Sequence, residues 1–183
     1  MGRVKFTPTK IPDVILIEPE VFEDMRGSFF ESYNEEIFSA NGITLLFVQD
    51  NQSRSKRGVL RGLHFQVAPK QQAKLVRVTN GEAFDVAVDI RHGSKTFGQH
   101  VSTLLSAENK KMLYIPIGFA HGFLALQDDT EVHYKVSSAY SPLHERGLAW
   151  DDAMIGIQWP KLDIDYILSD KDRRYSRLFE IKP

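Results

Sequence analysis

The stretch Lys74-Leu-Val-Arg-Val-Thr79, Asn80-Gly81, Glu82-Ala-Phe-Asp-Val-Ala-Val-Asp-Ile90 restricts the fold of this chain more than any other. Two valine-rich runs are separated by a dipeptide that readily takes positive φ. The pattern predicts two strands joined as a β-hairpin through a type I′ turn. Along Glu82–Ile90 the side chains alternate. Phe84, Val86, Val88 and Ile90 share a bulky apolar face, and Ala83, Asp85, Ala87 and Asp89 share a small acidic one. A small acidic face suits either solvent or the lumen of a ligand-holding barrel.

Further short strands are expected at Val14–Ile17, Gly27–Tyr33, Thr44–Gln49, Gly98–Leu105, Met112–Ile115, Gly122–Leu126 and Glu131–Ser137. Helical signals are few. Asn34 can cap a short helix running to Ala40 and ended near Gly42. A turn starts at Ser106, and a last helix is expected near Lys171–Arg177. Many short strands and polar turns predict an all-β sandwich or barrel with a few short helices. With 183 residues and no linker or repeat, a single domain over residues 1–183 is expected.

The net charge of −1 provides no basic field to recruit nucleic acid or an anionic membrane. There are no cysteines, which removes disulfides, thiolate zinc sites and a cysteine nucleophile, and fits a cytoplasmic protein. The first residues lack the apolar core of a signal peptide, and no apolar run is long enough to span a bilayer.

Chemistry-bearing residues concentrate in Gly58-Val-Leu-Arg61-Gly-Leu-His64-Phe-Gln66. Histidine exchanges protons near neutral pH, and arginine presents a fork of donors suited to phosphate oxygens. In a regular strand Arg61 and His64 face opposite sides, so serving one pocket requires a distortion, which Gly62 permits. Pro116-Ile-Gly118-Phe-Ala-His121 resembles the second half of the cupin signature. The first half, an H-x-H pair in metal cupins, reads His64-Phe-Gln66 here. Two histidines alone make a poor metal site, so no metal is expected. His121 is then either a structural histidine or a donor to a ligand oxygen. Lys74 shares a face with Val76 and Val78, so it is either a surface lysine at a strand end or a buried ammonium needing a partner such as Asp85. Tyr134 lies between Val132 and Val136, as a core tyrosine or a proton donor.

Eight blocks in order resemble the dTDP-4-dehydrorhamnose 3,5-epimerase family. They are Phe22–Glu31, Phe47–Asn51, Val59–Gln66, Lys74–Arg77, Phe84–Arg91, Gly118–Phe123, Tyr140–Pro142 and Leu168–Asp172. The resemblance implies a cupin-type jelly-roll barrel, a homodimer with exchanged N-terminal strands, and no cofactor. It implies a dTDP-linked 4-keto-6-deoxy sugar as substrate, inverted at C3 and C5. His64 would be the base, Asp172 its carboxylate partner with Asp170 as the alternative, Lys74 the stabiliser of the enolate, and Tyr134 the acid. Arg26 and Arg61 would grip the nucleotide, and Glu31, Gln49, Asp50, Asn51, His121, Glu145 and Lys171 fall on family binding positions. Ala73 and Ile117 depart from the family's usual glycine and glutamate, at positions that carry no chemistry. The same residues are compatible with an epimerase acting at one carbon only. A ketoisomerase, a metal-dependent dioxygenase and a non-catalytic sugar-nucleotide binder fit less of the set.

Overall fold

The structure, a computed structural model, describes residues 3–181. Its strands are β1 (Val4–Pro8), β2 (Ile15–Pro19), β3 (Phe22–Asp24), β4 (Gly27–Phe29), β5 (Gln49–Ser55), β6 (Leu60–Gln66), β7 (Lys74–Asn80), β8 (Glu82–Asp89), β9 (His100–Ser106), β10 (Met112–Ile115), β11 (Phe119–Ala125), β12 (Thr130–Val136) and β13 (Glu145–Gly147). A six-stranded sheet in the order β1-β2-β10-β7-β12-β5 faces a five-stranded sheet in the order β13-β6-β11-β8-β9. All pairings within these sheets are antiparallel. This is a cupin-type jelly roll with few helical residues: the strand pattern predicts its all-β class, and the family resemblance implies the jelly roll.

The expected hairpin is not one. β7 pairs with β10 and β12, whereas β8 pairs with β9 and β11, so the chain changes sheets at Asn80-Gly81. A type I′ turn needs positive φ at both central residues. Only Gly81, at φ +72°, has it. Asn80 instead pairs with Glu131 and donates its side-chain amide to the Asp129 carbonyl at 2.7 Å. The turn is therefore a corner between sheets, and β7 and β8 lie in opposing sheets, with β7 facing β9 and β8 facing β12 across the lumen.

That corner explains the two faces of β8. Ala83, Asp85, Ala87 and Asp89 are each 0% exposed, so the acidic face lines the lumen. Between the sheets, Val76, Val78, Leu113 and Val132 meet Ala83, Ala87, Leu105 and Phe123 in one buried cluster. The outer face, with Phe84, Val86 and Val88, is covered by Leu148, Ile155, Trp159 and Leu178 of the C-terminal segment. Burying such side chains contributes about 1.5–3 kcal/mol each relative to exposure, which is why both faces read as apolar or small.

Helix α1 (Glu35–Ala40) lies on the outside of the six-stranded sheet, with Phe38 among Ile17, Leu75 and Met112. Asn34 caps it as expected, its Oδ1 accepting from the Glu36 and Ile37 amides at 3.0 and 3.2 Å. The C-terminal helix is only a 3-10 turn, Asp172–Arg174. Thr44–Val48 is not a strand. It lies beyond the end of β12, whose ladder with β5 ends at the Val136–Gln49 pair, and Leu45, Leu46 and Val48 are exposed. The strand starts at Gln49 and is polar throughout, which hides it from an apolar-alternation reading. Gly27–Tyr33 likewise contributes only β4, paired with β3 in a separate two-stranded hairpin.

Candidate active site

At the end of the sandwich where β6 and β12 finish and β7 begins, the apolar filling gives way to a polar cavity of about 330 Å³. His64, on β6, stands on the wall made by the five-stranded sheet. Lys74 on β7 and Tyr134 on β12 stand on the opposing wall with Gln49 and Asn51 of β5. Tyr134 and Asn51 are register partners, so one strand pair positions both.

His64 Nε2 lies 2.6 Å from Asp172 Oδ1, although the two residues are 108 apart in sequence. Asp172 is 5% exposed, and its second oxygen accepts from Ser169 Oγ at 2.9 Å. Burial pushes its carboxyl up, but the His64 and Ser169 hydrogen bonds and the Lys171 charge hold it below the usual range. A carboxylate so held orients the imidazole with Nε2–H toward it and leaves Nδ1 as the basic nitrogen. Asp170 is exposed and takes no part in this pairing.

Lys74 is buried, and among the described residues its ammonium makes only a long contact, 3.4 Å, to the His64 carbonyl. Burial lowers its pKa to about 8, against the opposing pull of Asp85 and Glu145. Burial raises Tyr134, so its phenol keeps its proton across neutral pH, with Arg61 acting weakly in the other direction. At the rim, Glu145 accepts from Tyr140 Oη at 2.8 Å and pairs with Lys171.

The strand distortion anticipated at Gly62 is present. The β6–β11 register shifts next to it, Gly62 has φ +130°, and a Cβ there would come within 2.5 Å of Gly122 Cα. Arg61 thereby reaches the opposite sheet, donating from Nε to Ser55 Oγ at 3.1 Å, above the cavity rather than in its lining. His121 sits deeper, behind the cavity, hydrogen-bonded to Asp85.

Three expected binding residues lie elsewhere. Asp50 falls between Gln49 and Asn51 on β5, so alternation turns it to the outer face, where it pairs with Lys135 at 3.0 Å. Arg26 is on the β3–β4 hairpin, exposed and paired with Asp24. Glu31 follows that hairpin outside the cavity lining, with one buried oxygen lacking a partner. Conversely, Gln66, Gln72 and Tyr140 line the cavity without having been singled out. Gln66 accepts from the Ser141 amide at 2.7 Å and Gln72 donates to the Ser138 carbonyl at 2.6 Å, so both tie down the loop after β12. Gln66 and Tyr140 had a sequence signal only as members of the Val59–Gln66 and Tyr140–Pro142 blocks, and Gln72 had none. Among the described residues, no three His, Cys, Asp or Glu side chains converge as metal ligands, and no helix is long and apolar enough to cross a membrane.

Residues 8–180 match the family model for dTDP-4-dehydrorhamnose 3,5-epimerase. The chain belongs to the dTDP-4-dehydrorhamnose 3,5-epimerase family. It is an isomerase. A family member from Pseudomonas aeruginosa is 56% identical over 172 residues, covering 93% of this chain and 94% of that one. A solved dTDP-6-deoxy-D-glucose-3,5-epimerase from Legionella pneumophila, in complex with dTDP-4-keto-L-rhamnose, superposes with TM-score 0.95 at 45% identity, covering 98% of this chain and 95% of the other. A 3′-monoepimerase from Streptomyces bikiniensis in complex with dTDP-quinovose has the same fold, with TM-score 0.87 at 36% identity, covering 94% and 87%.

Proposed function

We propose that this epimerase-family chain converts dTDP-4-dehydro-6-deoxy-D-glucose to dTDP-4-dehydro-L-rhamnose by inverting C3 and C5 of the sugar. The observation that carries the reading is the cavity with a carboxylate-backed histidine on one wall and a buried lysine and tyrosine on the other. The C4 ketone acidifies the hydrogens on both neighbouring carbons. His64 Nδ1 takes the proton, and Asp172 stabilises the imidazolium that forms. The electrons move onto the C4 oxygen, where the Lys74 ammonium meets the developing charge in a site of low dielectric. Tyr134 then delivers a proton from the opposite wall. Removal and return on opposite faces give inversion rather than simple exchange.

The nucleotide lies toward the rim, among Gln49, Asn51, Arg61, Glu145 and Lys171. Arg26 and Glu31 reach this site only if a second chain supplies them. Their hairpin pairs only with itself and exposes Phe22, Met25 and Phe29. A two-stranded hairpin is marginal alone in water, which supports a homodimer in which it docks on the partner. Sedimentation should give twice the mass of the chain, and a monomer at working concentration would end the dimer proposal.

The function is tested by NMR of the protein with the 4-keto sugar nucleotide in D2O. Deuterium should enter both C3 and C5, and the product should be the L-rhamno isomer. The monoepimerase of the same fold favours one rival, single-carbon inversion, which predicts label at one carbon. Tyr134→Phe should still allow deuterium exchange but slow inversion by about 10²-fold or more. Inversion at the native rate would remove Tyr134 from the acid role.

A further inference from the structure

Two buried lumen groups, Asp85 and His121, are unused in the reaction above. Asp85 is fully enclosed. Its Oδ2 accepts from His121 Nε2 at 2.9 Å, while Oδ1 is buried with no hydrogen-bond partner among the described residues. In the same lumen the Lys74 ammonium has only its long contact to the His64 carbonyl. A carboxylate with a free oxygen and a nearly unpartnered ammonium each carry a large desolvation cost alone, and their attraction through the low-dielectric interior offsets part of it without a direct ion pair.

The other groups facing Lys74 do not replace Asp85. From β6 comes His64, itself bound to Asp172. From β12 comes Tyr134, whose ring centroid is 6.0 Å from Nζ and which feels Arg61. From β13 comes Glu145, already engaged by Lys171 and Tyr140 at the rim. From β11 comes His121, which burial disfavours as a cation and which therefore does not compete with Lys74 for the Asp85 charge. Asp85, on β8, is the enclosed anion.

We infer that Asp85, anchored by His121, is a positioning residue for the epimerisation: its carboxylate keeps the Lys74 ammonium charged and aimed into the cavity. The inference rests on the reading of Lys74 as the group that stabilises the enolate.

Asp85→Asn removes the charge and nearly preserves the shape. In the native enzyme, kcat/KM should fall above about pH 8 as Lys74 loses its proton. In the variant this alkaline limb should move down by about one pH unit or more, with about tenfold lower activity just below the native limb. A variant that is less active at every pH with the limb unmoved would show Asp85 to be merely structural and overturn the inference. A native profile without the limb, together with an active Lys74→Met, would instead reject the reading of Lys74. Should Asp85→Asn fail to fold, the native protein still decides. The 13C signal of the Asp85 carboxyl should step as the Lys74 Cε signal titrates, and a carboxyl signal blind to Lys74 would overturn the inference.

Discussion

His64→Ala should eliminate deuterium exchange at both C3 and C5, lowering each rate by about 10³-fold or more, within the range that a positioned general base contributes. The argument is geometric. His64 is the cavity-lining side chain joined to a buried carboxylate, at 2.6 Å. One base between two carbons flanking one ketone can serve both only if the sugar is turned or shifted in the cavity. Measuring wash-in of deuterium at each carbon separately tests this. Exchange persisting at native rate at either position would show that a second base operates there. Asp172→Asn should follow the same direction, because an amide cannot stabilise the imidazolium, whereas Asp170→Asn, on the exposed neighbour, should leave exchange intact. Melting curves of each variant separate lost chemistry from lost fold.

Lys74→Met should lower kcat by about 10²–10³-fold with a smaller effect on KM, since charge on the sugar oxygen develops only on the way to the transition state. The pH dependence gives an independent check. Lys74 is held at about 8, so below that pH it is charged and above it is neutral. A neutral amine cannot stabilise an enolate electrostatically. The native kcat/KM should therefore show an alkaline limb near pH 8, and the residual activity of Lys74→Met should lack it. A limb surviving in the variant would assign that titration to another group and remove Lys74 from the role.

Much of the fold is legible in the chain because local chemistry and tertiary demand agree. Asn34 caps α1 by the same side-chain acceptance that isolated helices use. The alternation in Glu82–Ile90 is real, with one face under the C-terminal segment and the other on the lumen. β5 was misplaced because its residues, Gln49 to Ser55, are polar on both faces, one toward the cavity and the other toward solvent. The distortion that the Arg61–His64 spacing requires is present, through the positive φ of Gly62, and it sends Arg61 to Ser55 on the opposite sheet rather than into the cavity lining.

What the sequence determined by itself was the class of structure and the alternation within strands such as Glu82–Ile90, because these follow from neighbours a few residues apart; roles for His64, Lys74 and Tyr134 came only as what the family resemblance implies. Which strands pair was decided only in three dimensions. Gly81 is compatible with a hairpin and with a sheet-to-sheet corner, and the choice fell to the apolar area that β7 and β8 bury in the cluster shared with β9–β12. That choice puts Lys74 and Asp85 in opposing sheets instead of two rungs apart on one hairpin. Folding also brings Asp172 to His64 from 108 residues away and leaves Arg26 on an uncovered hairpin. Proximity over such separations comes from long-range burial summed over the whole chain, which no local pattern encodes.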